Sequence, residues 1–150
     1  MRDMILGSVN CCLLDVASIL KGGFEMSNVE YTEPKSVHSA LQVIGDITLV
    51  ASAQQFGGLT IAELDKVLLP YVKKTWARAY EKYRETCGLP EEAAKKMAHA
   101  ETIRELEQGF QSLELKLNTV TSSRGDIAFT TVSFGQWDPK LPEEEKEWLY

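Results

Sequence analysis

Histidine is scarce in this chain. His38 and His99 are the only two, and the residue three before His99 is Lys96. A helical E-x-x-H ligand pair needs a carboxylate at that place, so we expect no metal site. Cysteine is nearly as rare. Cys11, Cys12 and Cys87 make an odd count, and an adjacent pair suits neither a disulfide framework nor a C-x-x-C metal or redox site. A reducing, cytoplasmic setting is the expectation. Cys87 falls at an expected helix C-terminus, where the helix dipole disfavours a thiolate, so no catalytic cysteine is expected. The glycine pairs in KGGFE, 21–25, and FGGLT, 56–60, lack the spacing of a phosphate-binding loop. No cofactor is expected. No apolar run approaches the roughly 18 residues of a membrane span. Positive charge is in deficit: the net charge is −6 at pH 7, which argues against a general nucleic-acid binder.

What is present fits one folded unit. The chain has 150 residues, 44% of them hydrophobic and 25% charged, which suits a single domain with its own core. The first 25 residues have two readings. Ile5, Val9, Leu13, Val16 and Leu20 recur at helical intervals and Gly22-Gly23 would stop the helix. Alternatively, Lys21-Gly22-Gly23 can be encoded by AAA-GGA-GGN, a bacterial ribosome-binding sequence, with Phe24-Glu25 as the spacer before Met26. On that reading residues 1–25 are an N-terminal extension upstream of the natural start and 26–150 are a single globular domain of bacterial origin. As a secretory signal the segment is poor, because Asp3, Asn10 and Asp15 interrupt it.

Three helices follow. Ser36 is an N-cap for a helix over 36–55 with an apolar stripe through Val37, Leu41, Ile44, Ile47 and Ala51. Thr60-Ile61-Ala62-Glu63 has the form of a capping box. It would open a second helix whose stripe runs through Ile61, Leu64, Leu68, Val72, Trp76, Ala79 and Tyr83. Pro70 is expected to kink or split that helix near Leu69, and Gly88 to end it. A third helix starts at Pro90, with Ala93, Met97, Ala100, Ile103 and Leu106 on its buried face. The period then changes. SLELKLNTVT, 112–121, alternates like a strand, although a longer helix through Phe110, Leu113 and Leu117 is the rival reading. With a turn at SSRG and a second strand over DIAFTTVSF, 126–134, it predicts a β-hairpin. The RGD tripeptide at 124–126 is given no meaning. The expected fold is α+β, mainly α: a three-helix core with a C-terminal β-hairpin and a short terminal helix from Pro142.

The segment LTIAELDKVLLPYV, 59–72, resembles part of the bacterial toxin-activating lysine acyltransferases. That family carries a Ser-Pro-x-His motif just upstream, and the corresponding Ser52-Ala53-Gln54-Gln55 has no histidine. The resemblance therefore implies no acyltransferase activity here.

The most distinctive stretch is YVKKTWARAYEKYR, 71–84, locally basic in an acidic chain and interleaved with aromatic residues. Cations and aromatics of this kind bind protein partners or stack on nucleic acid. They also cover a core, with long basic side chains lying over apolar surface. Lys73, Lys74, Trp76, Arg78, Tyr80, Tyr83 and Arg84 are the candidate partner-binding residues. The tail over 138–150 carries a net −3 and either folds back on this helix or stays solvated. The expected molecule is a small regulatory protein, not an enzyme. It binds another protein as an inhibitor, antiactivator or adaptor and is a homodimer with no membrane contact. A nucleic-acid-binding regulator, and a ligand-binding protein or enzyme with an unrecognised site, are the alternatives.

Overall fold

The computed structural model describes residues 11–26, 28–54, 57–120, 127–135, 140, 142, 143, 146 and 148. The expected helix positions Ile5 and Val9, the SSRG turn and the RGD tripeptide lie outside the described residues.

The architecture is mainly helical α+β. In chain order the elements are β1 (Cys12–Leu13), α1 (Val16–Gly22), β2 (Phe24–Met26), β3 (Val29–Tyr31), α2 (Val37–Ala53), β4 (Leu59–Ile61), α3 (Leu64–Glu81), α4 (Glu91–Thr119) and β5 (Thr130–Val132). A π-helical turn over Lys82–Thr86 extends α3. Among the described residues, β1, β4 and β5 form a parallel sheet in the order β1-β4-β5, and β2 pairs antiparallel with β3. No helix of the described residues is long and apolar enough to cross a membrane.

Helix α1, before Met26, packs into the core. Asp15 caps α1 by accepting from the Ser18 N–H at 3.2 Å. Val16 and Leu20 are 2% and 1% exposed and join the core with Leu41, Ile44, Ile61, Leu64 and Leu68. Gly23 ends the helix with φ +68°, and a Cβ there would stand 2.6 Å from the Tyr31 carbonyl oxygen. A glycine is therefore required where α1 gives way to the hairpin. The hairpin itself stacks Phe24 on Tyr31, ring centroids 4.8 Å apart. It stands at 24–31 and not at the C-terminus, where a hairpin was expected.

The C-terminal hairpin does not form. Its expected first strand is the last third of α4, a continuous helix of 29 residues. Leu113 is buried and Leu106, Phe110 and Leu117 pack against the core, whereas Leu115 is 63% exposed. The burial follows intervals of three and four, the helical period. The Leu113-Leu115-Leu117 alternation was a coincidence of spacing. Its expected partner supplies β5, which pairs in parallel with β4: Leu59 opposite Thr130, Thr60 opposite Thr131 and Ile61 opposite Val132. At the C-terminus Glu143, Lys146 and Trp148 are helical, and the Lys146 N–H donates to the Pro142 carbonyl at 3.1 Å.

Two other local expectations change. Thr60 lies in β4 and caps nothing. Glu63 takes the left-handed conformation, φ 49°, and α3 begins at Leu64. The first amides of α3 are satisfied from β5 instead: Glu63 N–H donates to Ser133 Oγ at 3.2 Å and Leu64 N–H to the Ser133 carbonyl at 2.9 Å. Pro70 does not split α3. It is exposed, while Leu68, Leu69 and Tyr71 beside it are buried, so packing of the opposite face carries the helix past the missing donor. Ser36 does cap α2, accepting from the Ser39 N–H.

Candidate functional site

Helix α3 splits the seven residues expected to form one binding face. Trp76 and Tyr80, four residues apart, stack in parallel at 5.1 Å. Trp148 from the C-terminal turn meets Trp76 edge-on at 5.8 Å, so the described part of the tail lies against this helix. The cations turn elsewhere. Lys74 pairs with Glu33 at 2.7 Å and sits 5.1 Å from the Tyr71 ring centroid. Arg78 pairs with Glu105 at 2.6 Å. Lys82 bonds both oxygens of Glu101, and the Tyr83 hydroxyl donates to the same carboxylate at 2.7 Å. Arg84 donates to the Leu89 carbonyl at 2.8 Å. Lys73 is half-buried. Most of this positive charge therefore faces carboxylates of other segments and ties α3 to α4 and to the hairpin.

The Lys82–Glu101–Tyr83 cluster makes a pH prediction. Hydrogen bonds from Lys82, then Tyr83, hold the Glu101 carboxyl below its ordinary 4.5. The bond to Glu101 raises Lys82 above 10.5 and Tyr83 above 10.0. A lowered carboxylate stabilises the fold above its unfolded value and loses that contribution as pH falls through the folded value. A raised lysine or tyrosine loses its contribution as pH rises past 10. The stability advantage of the native chain over Glu101→Gln should therefore be present near neutrality and shrink below pH 4.5. Melting curves of both proteins across the acid range check this. Lys82 is exposed while Glu101 is mostly covered, so solvent screens the pair in part and the effect is modest.

The parallel sheet presents the second surface. Paired residues on adjacent strands share a face, and successive residues alternate. Leu59 and Ile61 are buried against the helices, and Val132 packs on the same core. Cys12, in register with Leu59, shares that side. Leu13, Thr60 and Thr131 point the other way, and Cys11 and Phe129, just before β1 and β5, are exposed. This other side is bare: Leu13 is 69% exposed, Phe129 82% and Ile127 50%. Cys11 is exposed and Cys12 half-buried. Beside the end of β1, Leu13, Val16, Ala62 and Val67 line a groove of about 420 Å³ at the start of α3. Parallel sheets are normally covered on both faces; among the described residues this one is covered on one.

The sequence contained a sign of this surface. NCCLLD is a short apolar run bounded by polar residues, the pattern of a buried parallel strand. Reading it as one flank of an amphipathic helix hid it.

A family model described as anaerobic ribonucleoside-triphosphate reductase matches residues 2–149. The chain belongs to that family. It is 37% identical over 126 residues to the anaerobic ribonucleoside-triphosphate reductase of Enterobacteria phage T4, a match covering 84% of this chain and 20% of that enzyme. It is 36% identical over 141 residues to the Escherichia coli (strain K12) enzyme, covering 90% and 19%. With the Salmonella typhimurium enzyme it shares 35% over 138 residues, covering 88% and 18%. The chain thus spans about one fifth of the length of these relatives.

This overturns the regulatory reading. Inhibitor, antiactivator and adaptor were inferred because no catalytic constellation was visible, and the chain was taken not to be an enzyme for the same reason. Nearly the whole chain matches a reductase family instead, so the alternative of an enzyme with an unrecognised site is the better one. A segment of one fifth of an enzyme need not contain a complete constellation.

Proposed function

We propose that this chain supplies one part of an anaerobic ribonucleoside-triphosphate reductase, and that its bare sheet surface faces the place where the ribose is reduced. The observation that carries the reading is the family match over residues 2–149. Cys11 is exposed and stands one residue before β1.

Converting a ribonucleotide to a deoxyribonucleotide breaks the bond between ribose carbon and hydroxyl oxygen. The oxygen leaves as water, and two electrons and two protons are taken up. Two thiols balance this by closing a disulfide. Cys11 is the thiol of this segment placed to serve, with a second thiol supplied from outside it. Cys12, turned toward the helices, is not.

A genetic exchange tests the reading. The matched segment of the Escherichia coli enzyme is replaced by this chain in a strain that depends on that enzyme without oxygen. Anaerobic growth is the expected outcome. A folded, well-expressed chimera that fails to support growth would sink the proposal.

A further inference from the structure

We infer that Phe129 is the platform on which the nucleobase of a ribonucleoside triphosphate stacks, and that Gly58 leaves the room between that ring and the Cys11 thiol. The inference rests on the reading above that this chain supplies part of a ribonucleotide-reducing site, and it names the group that holds the base.

Register is the first support. Cys12 pairs with Leu59, and Leu59 with Thr130. The residues one place earlier are Cys11, Gly58 and Phe129, which therefore form one row across the amino end of the sheet. Two hydrogen bonds tie the row together. Cys12 N–H donates to the Gly58 carbonyl at 3.1 Å, and Leu59 N–H to the Phe129 carbonyl at 2.8 Å. Neighbouring strands lie about 4.8 Å apart, so Cys11 and Phe129 stand about 10 Å from each other along the row. In a ribonucleoside the base is bonded directly to the ribose. A base over Phe129 therefore leaves its ribose on the Cys11 side.

Surface chemistry is the second. Phe129 is 82% exposed, more than any other large hydrophobic side chain among the described residues. Its backbone is nonetheless fixed by the bond to Leu59. A ring held out from a fixed backbone presents its face at little cost in ordering. Such rings stack on bases, and stacking tolerates any base. Shape is the third. The middle of the row carries no side chain. A Cβ on Gly58 would stand 3.4 Å from the Phe129 carbonyl oxygen and 3.9 Å from Phe129 Cβ. A larger residue there would occupy the space beside the ring.

The test measures nucleotide binding by the purified Escherichia coli enzyme carrying this chain, separately from turnover. The probes are cytidine triphosphate and the same ribose triphosphate without a base. Phe129→Ala should weaken binding of cytidine triphosphate by about tenfold or more, the scale of one lost stacking contact. It should leave binding of the base-free ligand unchanged. Phe129→Leu keeps apolar bulk without the ring and should bind like Phe129→Ala. Phe129→Tyr should bind like the native chain. Gly58→Val should weaken cytidine triphosphate with Phe129 intact. Melting curves show which variants fold, and the comparison of Phe129→Tyr with Phe129→Leu remains decisive where Phe129→Ala does not. Cytidine triphosphate binding indifferent to Phe129→Ala, equal losses for both ligands, or Phe129→Leu binding as tightly as the native chain would each overturn the inference. A chimera that binds as expected but forms no deoxyribonucleotide leaves the platform standing and removes the functional reading.

Discussion

Cys11→Ser should lower the activity of the assembled reductase by on the order of 100-fold or more, the scale of removing a group that transfers a proton in the transition state. Cys12→Ser should leave it within a few-fold. The two residues are neighbours, so bulk effects of the substitution are matched and orientation is what differs. Cys12 shares the helix-facing side of the sheet with Leu59, which is 1% exposed. Cys11, one residue before the strand, is exposed. The measurement is the turnover of each variant in the Escherichia coli enzyme carrying this chain, with melting temperature as the control for folding. Equal losses in both would mean that the pair acts only through packing. A harmless Cys11→Ser would remove the thiol from the proposal.

Gly109→Val should destabilise the fold by about 2 kcal/mol, within the usual range for overpacking a tight contact. Helices α2 and α4 approach each other through two glycines. A Cβ on Gly109 would stand 2.5 Å from Leu41 Cδ1 and 3.4 Å from His38 Cα, and one on Gly45 would stand 2.9 Å from Lys116 Cδ. Leu41 is fully buried, so it has little room to turn away. Gly109→Ala gains about 1 kcal/mol of helix propensity, which offsets part of the clash. The branched valine keeps less of that gain and adds two methyls against α2. For a chain of this size, 2 kcal/mol corresponds to a fall in melting temperature of about 4–8 °C. The contact at Lys116 differs, because its side chain can swing outward while keeping its bond to Asp46 at 2.7 Å. Gly45→Ala should therefore be the milder change, and thermal unfolding of the variants ranks them.

The start of α2 and the stop after α3 were readable because their signals are local, whereas Met97 and Ile103, expected on the buried face of the third helix, are each 43% exposed. Ser36 caps α2 through a residue three positions on, and Gly88, at φ +66°, closes the π-helical turn after α3. The sheet was not readable. Its strands are two and three residues long and pair across 47 and 71 positions of sequence, a distance over which no short-range pattern reports. The capping box at Thr60 failed because a partner 70 residues away, Ser133, satisfies the same amides. Leu113, Leu115 and Leu117 fit two periods at once, and only burial of Leu113 beside exposed Leu115 separates them.

The sheet surface escaped the sequence reading for a related reason. Composition drew attention to α3, where charge and aromatic content are highest. The structure spends Lys74, Arg78 and Lys82 on Glu33, Glu105 and Glu101, each partner 19 or more residues from its cation. The sheet surface has no charge signature at all. It shows in the apolar side chains that the described residues leave exposed there, Leu13, Ile127 and Phe129.

The most direct test of the account is product formation by the purified chimera, with this chain in place of the matched segment of the Escherichia coli enzyme. Ribonucleoside triphosphates are supplied without oxygen and deoxyribonucleoside triphosphates are quantified. The account predicts product from the chimera and none when Cys11 is serine. A folded chimera that makes no product, or one that makes as much with Ser at position 11, would contradict it.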